Sequence, residues 1–397
     1  MKCTPGLIIT DQHLVSSTIA EPVAPATAWV SGTVYAVGAK VSVAGTTFRE
    51  YQRKASQTAA LWVTGTTYII GALRNSPANG FTYKRKTAGA GATDPASDPT
   101  NWQDLRTLSP HENTDQWTDL GPYEREWVSG ATYVAGDEVI RTNLHRTYLR
   151  RVGGAGDIVP ELDPTNWKDI GATIKYALFD LKSTQQTVGE GPVTYVIDLP
   201  SRVDSVGLTG LSSNSVQLQL HVGATLMWSK DTNTLLRNTL GWKDYFLGAF
   251  RYRPAIVFYD VPLNSGATLT ITLTGGTVKC GRVFIGRYVD MGSVSDEAEN
   301  DVRNFSKTEA DDYGDFTLVE RPTKQTNNLS ILAPTSAVDK LRELRVDTNA
   351  KVALYSALDD EITSDWFNAF LIPGFWTRFA IRPAKPDALV SINLQEV

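Results

Sequence analysis

Carboxylates, histidines, cysteines and glycine-rich loops are the groups from which a reaction would be assembled, and their spacing is therefore the first thing to read. The densest acidic cluster is Glu309, Asp311, Asp312 and Asp315. Two carboxylates facing each other across a cleft can hydrolyse a glycosidic bond, and a cage of oxygens can hold Ca²⁺. This spacing matches neither arrangement, and the cluster reads as a solvated or salt-bridged loop, as do Asp359, Asp360 and Glu361. His13, His111, His145 and His221 are scattered, with no HExxH pair. Cys3 and Cys280 are too few for a disulfide framework or a zinc site. Gly153-Gly-Ala-Gly156 and Gly89-Ala-Gly91 read as turns, because a phosphate cradle has to open a helix. There is no Gly-x-Ser-x-Gly elbow, P-loop or dinucleotide fingerprint. The expectation is a protein that is not an enzyme, with no catalytic residues, no metal and no cofactor.

The other chemistry open to this sequence is aromatic stacking. Ten tryptophans are present, and several mark repeats. Three segments open alike: Trp29-Val-Ser-Gly-Thr-Val-Tyr35, Trp62-Val-Thr-Gly-Thr-Thr-Tyr68 and Trp127-Val-Ser-Gly-Ala-Thr-Tyr133, each followed three residues on by Gly38, Gly71 or Gly136. Two close alike, with Asp98-Pro-Thr-Asn-Trp102 and Asp163-Pro-Thr-Asn-Trp167, at the same interval from their opening Trp. Phe48 and Phe81 share a position that Arg146 takes in the third repeat, and Tyr83 matches Tyr148. The first repeat lacks the closing motif. Either Trp62 closes it while opening the second, or it is a degenerate copy; degeneracy is preferred.

Small modules have little apolar surface to bury, so large aromatics must form their cores. Trp29, Trp102 and Trp167 are the core candidates. Tyr35, Tyr68, Tyr83, Tyr133, Tyr148, Trp62 and Trp127 are the candidates for outward-facing rings, which a neighbouring protein could contact. Asp-Pro-Thr-Asn is turn chemistry. The basic run Lys84-Arg85-Lys86 reads as the solvated edge of a strand.

The elements that position these residues follow from periodicity. Val193–Leu199, Val216–Val222 and Thr268–Thr274 alternate apolar and polar residues, as a sheet with one buried face does. With Ala255–Tyr259 and Arg282–Gly286, and turn clusters between them, they predict a β-sandwich or jelly roll over 172–292. The rest, 293–397, is expected to be an α+β assembly domain. Ser336-Ala-Val-Asp339 would cap a helix carrying Val338, Leu341 and Leu344, with strands at Lys351–Tyr355, Thr377–Ile381 and Leu389–Leu394. The expected fold is mainly β throughout. It comprises an extended segment over 1–26, modules over 27–61, 62–107 and 127–171, a linker over 108–126, the sandwich and the C-terminal region.

Bulk properties limit the partners. The chain has 397 residues and a net charge of −5, without the basic surplus of a nucleic-acid binder. No stretch approaches the ~18 apolar residues of a membrane span, so no membrane insertion is expected. With no charged-then-apolar opening, synthesis in a cytoplasm is expected, the protein either staying there or leaving inside a larger particle.

The Trp, Tyr, Gly, aromatic and closing-Trp pattern over 27–171 resembles the chitin-binding-type carbohydrate-binding modules, in which exposed aromatic rings stack on sugars; the resemblance makes Tyr35, Tyr68, Tyr83, Tyr133, Tyr148, Trp62 and Trp127 the candidates for sugar contact. A second resemblance runs along most of the chain. It rests on Leu14-Val-Ser-Ser-Thr, Tyr176-Ala-Leu-Phe-Asp180, Trp242-Lys-Asp-Tyr-Phe246, Gly281-Arg-Val-Phe-Ile-Gly286, Asp290-Met-Gly292, Phe305-Ser-Lys-Thr-Glu309, Asp312-Tyr-Gly314 and Ser391-Ile-Asn-Leu-Gln-Glu. This order looks like a group of tail-associated virion proteins of tailed bacteriophages. The resemblance implies a structural subunit of the tail tip or baseplate, with other tail proteins and symmetric copies as partners. Its modules would touch bacterial surface polysaccharide, with avidity from repetition. A virion protein whose modules only mediate subunit contacts is the alternative. A secreted glycan-degrading enzyme is the third reading.

Overall fold

The structure is a computed structural model and describes residues 1–44, 48–54, 59–180, 185–236, 242–247, 251–295, 297–310, 316–357 and 367–397. Asp311, Asp312 and Asp315, and the Asp359–Glu361 run, lie outside the described residues. The chain is mainly β and divides into two compact units, Met1–Ala20 with Ile174–Val397, and Glu21–Thr173.

In the first of these units the alternating segments form the expected strands. An antiparallel sheet runs in the order Leu14–Ser17, Val193–Asp198, Ala267–Thr274, Ser215–Val222, Thr225–Asn233. Along Ala267–Thr274, Leu269, Ile271 and Leu273 are buried while the intervening threonines are not, which is the one-face-in pattern of period two. A second sheet orders Ala255–Phe258, Ser205–Thr209 and Arg282–Gly286, giving a sandwich-like architecture. Val206, Leu208, Ile256 and Ile285 are buried in it, and a fully buried side chain of this size contributes about 1.5–3 kcal/mol.

The remaining strands form one larger antiparallel sheet. Its order is Val289–Asp290, Lys2–Pro5, Ala353–Ser356, Leu371–Arg382, Asp387–Glu396, Thr323–Pro334, Ser293–Val294, with Glu299–Asn304 also on Thr323–Pro334. The two end strands are joined only by Met291 and Gly292, so the sheet must curl until its ends meet. Met291, Leu329, Ile331, Tyr355, Ile372, Val390 and Ile392 fill its core, and the helix Val338–Asp347 adds Leu341 and Leu344. That helix differs from expectation at its start. Its N-cap is Ala337, with no side-chain cap, and a 3-10 turn over Thr335–Ala337 leads into it in place of a Ser336 capping box. The segment 1–26 is not one free extended arm. Lys2–Pro5 and Leu14–Ser17 are ladder strands of the two large sheets, because unpaired backbone groups of an extended chain find sheet partners.

The Glu21–Thr173 unit holds three small modules, each a three-stranded antiparallel sheet. Their strands are Lys40–Val43, Arg49–Arg53 and Trp117–Pro122; Leu73–Asn75, Thr82–Arg85 and Trp102–Asp104; and Glu138–Arg141, Arg146–Arg150 and Trp167–Ala172. The first module is therefore complete, not degenerate, and Trp62 does not close it. Its closing strand comes from the stretch 108–126 expected as a linker. The second module is inserted between Arg53 and Trp117. Backbone hydrogen bonding explains how this is tolerated: Lys54 N–H donates to Gln116 O at 2.8 Å, clamping the two ends of the insertion together. Lys86 to Asn101 (2.8 Å) and Arg151 to Asn166 (2.7 Å) clamp the much shorter loops of the other two modules in the same way.

Candidate functional site

Each module is built on the same aromatic frame. The Tyr after the opening Trp lies edge-on to the closing Trp: Tyr35–Trp117 at 5.4 Å, Tyr68–Trp102 at 5.2 Å and Tyr133–Trp167 at 5.1 Å between ring centroids. An arginine from the middle strand pairs with the closing Trp in register and stands over its ring. The distances are 5.6 Å for Arg53 over Trp117, and 4.9 Å for both Arg85 over Trp102 and Arg150 over Trp167. Such a cation–π contact gains strength when desolvated. Arg85, 3% exposed, thus points inward and is not part of a solvated basic edge; its neighbour Lys86 is exposed and Lys84 half-buried.

The burial of these rings corrects the binding candidates. Tyr68, Tyr83, Tyr133 and Tyr148 are 3, 6, 3 and 5% exposed and form module cores with Trp102 and Trp167. Tyr68 and Tyr133 also spend their hydroxyls locally, each accepting from a backbone N–H at 2.8 Å and donating to the same residue's carbonyl at 3.0 Å, at Val63 and Val128 respectively. Burial, with Asp169 and Glu161 nearby, pushes the Tyr148 hydroxyl above its ordinary value.

What covers them is the loop between the middle and closing strands. Gly89–Ala90 pairs with Thr67–Tyr68, and Gly154–Ala155 with Thr132–Tyr133. Gly91 follows so closely that a Cβ there would lie 2.7 Å from both Trp62 Nε1 and the Tyr68 ring. At Gly156 the corresponding distances are 3.2 Å to Trp127 Nε1 and 2.5 Å to Tyr133. Trp62 and Trp127 are left half-buried against those cores.

In the first module that covering loop has become the inserted module, and the Tyr is uncovered. Tyr35 and Trp29 are half-buried and line a cleft of about 180 Å³ with Phe81, Arg106, Gln116 and Thr33. Gly32 N–H, whose counterparts Gly65 and Gly130 donate to Gly91 and Gly156, donates instead to Arg106 O at 3.0 Å. The Arg106 guanidinium stands 3.6 Å from the Phe81 ring centroid and is tied to Asp104 at 2.6 Å, a hydrogen bond that raises its already high pKa. The first module therefore supplies the Tyr and Trp, and the second supplies Phe81 and Arg106.

The cleft offers ring faces with hydroxyl, amide and guanidinium groups at its rim, the composition of a site that orients a polar ligand on an apolar floor. No carboxylate lines it among the described residues, so it lacks the acid pair that glycoside hydrolysis uses. Among the described residues, no cluster of three His, Cys, Asp or Glu could hold a metal ion, and no helix is long and apolar enough to cross a membrane. Burial pushes the Cys3 and Cys280 thiols up to about 12, well away from a reactive thiolate.

Sequence reading missed Trp117, Tyr51, Arg53 and Arg106. The signal for Trp117 is a closing pattern shorter than Asp-Pro-Thr-Asn-Trp: Trp102-Gln-Asp-Leu, Trp117-Thr-Asp-Leu and Trp167-Lys-Asp-Ile. Tyr51 pairs with Val41 as Tyr83 pairs with Arg74 and Tyr148 with Val139, but the first hairpin is one residue longer and displaces it. No protein-family model matches this chain, and no curated protein matches it.

Proposed function

We propose that this chain is a structural component of a bacteriophage tail, in the tip or baseplate region, and that its first module contacts surface glycan through the Tyr35–Trp29–Phe81 cleft. The order of motifs along the chain supports the tail assignment. The single observation that carries the glycan reading is the selective opening of one aromatic frame in three: the same Tyr that loops seal at positions 68 and 133 is accessible at 35, in a cleft sized for about one sugar unit. An apolar floor stacks on the C–H face of a sugar ring, and Arg106, Gln116 and Thr33 supply hydrogen bonds to its hydroxyls. One such site binds weakly, and symmetric copies on a tail multiply it. The tail assignment is tested by labelling particles with antibody against this chain: label at the host-facing end of the tail is expected, and label on the capsid, or no label, sinks it.

One observation favours the alternative in which the modules contact protein. The residue after the opening Trp is an exposed valine in all three, Val30, Val63 and Val128 at 57–59%, and each module exposes a second aliphatic residue just after its Tyr: Val37, Ile70 and Val134, at 48–67%. On that reading, substituting them with serine disrupts particle assembly and leaves glycan binding unchanged.

A further inference from the structure

Apart from the modules, Arg282 is, among the described residues, a buried charged side chain none of whose nitrogens meets a hydrogen-bond partner. Arg282 begins the strand Arg282–Gly286, directly across from Thr209. It is 4% exposed, and none of Nε, Nη1 and Nη2 has a hydrogen-bond partner among the described residues. A guanidinium carries five N–H donors, and burying it unsatisfied is among the costlier things a fold can do. The residue also lines a cleft of about 250 Å³. Gln186, Thr209 and Asn368 bring polar groups to this cleft, while Pro254, Leu371 and Pro373 give it apolar walls.

We propose that this cleft binds a carboxylate on a short aliphatic stem, supplied from outside the chain and held by the Arg282 guanidinium. The planar fork of arginine matches a carboxylate in bidentate fashion, and the apolar walls accept a stem of a few methylenes. Charge selects carboxylate over phosphate. Asp180 and Glu396 already act on Arg282 electrostatically, and Glu396 is fixed by accepting from the Gln325 N–H at 2.9 Å. Glu396 itself lines the cleft, so every added negative charge is opposed there, and a monoanion is opposed less than a dianion. The carboxylate has two sources, a free short-chain acid or an Asp or Glu side chain of a second copy of this chain.

The test uses the full chain with sodium butyrate as probe, and sodium phosphate and chloride at matched ionic strength as controls. In the wild type, butyrate raises the melting temperature saturably, as ligand linkage requires, and phosphate does not. Arg282→Met weakens that response by roughly tenfold or more, the loss of a charged hydrogen-bond pair. Glu396→Gln, which keeps the shape and removes a competing charge, tightens butyrate binding and remains informative if Arg282→Met fails to fold. Sedimentation separates the sources. Constant mass with a melting shift identifies a free acid, and a butyrate-dependent fall in mass, absent in Arg282→Met, identifies a neighbouring copy. Neither a shift nor a mass change, an equal response to phosphate, an unaltered response in Arg282→Met, or unchanged or weaker binding in Glu396→Gln overturns the proposal.

Discussion

Arg53 and Trp117 face each other across the last strand pair of the first module, guanidinium 5.6 Å from the indole centroid, with an entire second module between them in the chain. The same pair is made in the second and third modules by residues a short loop apart. A module that tolerates this substitution holds together through its aromatic frame, and the loop between Arg and Trp is free to vary.

Trp117 is therefore a core residue, and its removal should be felt in strands far from it in sequence. Trp117→Ala should cost about 3–5 kcal/mol, the usual penalty for emptying a large aromatic site. Amide exchange in Lys40–Val43 and Arg49–Arg53 should accelerate while Glu138–Arg141 and Arg146–Arg150 stay protected. Equal protection everywhere would mean that 108–126 is the linker the sequence suggested.

Gly91→Ala should destabilise the second module by about 1–3 kcal/mol, because a Cβ there is driven into Trp62 and Tyr68. Gly276→Ala, where nothing lies within 4 Å of the added atom, is the control. Chemical denaturation followed by tryptophan fluorescence reads both. An undisturbed Gly91→Ala protein would show that the loop does not seal the rings.

What was legible in the sequence was local. Trp, Tyr and Gly recur at fixed spacing because the Trp-to-Tyr turn is closed by the Tyr hydroxyl on the backbone five residues earlier, as at Val30 (2.8 Å). The sandwich strands were legible because Leu269, Ile271 and Leu273 alternate with threonine. The insertion was not, because the Arg53–Trp117 pairing is long-range and no local pattern announces it. The repeat spacing also puts Tyr68 and Tyr133 at matching positions of their modules without saying that Gly89–Gly91 or Gly154–Gly156 lies over them. Arg106 acts through its carbonyl and its guanidinium over Phe81, contacts that residue type alone does not disclose.

The buried thiols predict a loss of stability in alkali. Burial raises Cys3 and Cys280 from 9.0 to about 12 in the folded chain, so the unfolded state loses its protons first. Their contribution is fully present below pH about 9 and is lost as pH rises toward about 12. Buried Tyr195 and Tyr355, also raised by burial, act in the same direction. The urea midpoint of the unit made of Met1–Ala20 and Ile174–Val397, measured in the full chain, should fall between pH about 8 and about 10.5, where the unfolded thiols begin to lose their protons. Cys3→Ala with Cys280→Ala should flatten that slope. A midpoint independent of pH would contradict the burial.

The central claim, that the open cleft of the first module binds glycan, is met most directly by a glycan array of bacterial surface polysaccharides and chito-oligosaccharides. It is probed with the wild type, Phe81→Ala, and a chain whose 54–116 insertion is replaced by the 151–166 loop of the third module. That loop should seal Tyr35 as it seals Tyr133. The account predicts glycan binding by the wild type and its loss in both variants, with the third module folded in each. Binding that survives the sealing of Tyr35, or none by the wild type, would contradict it.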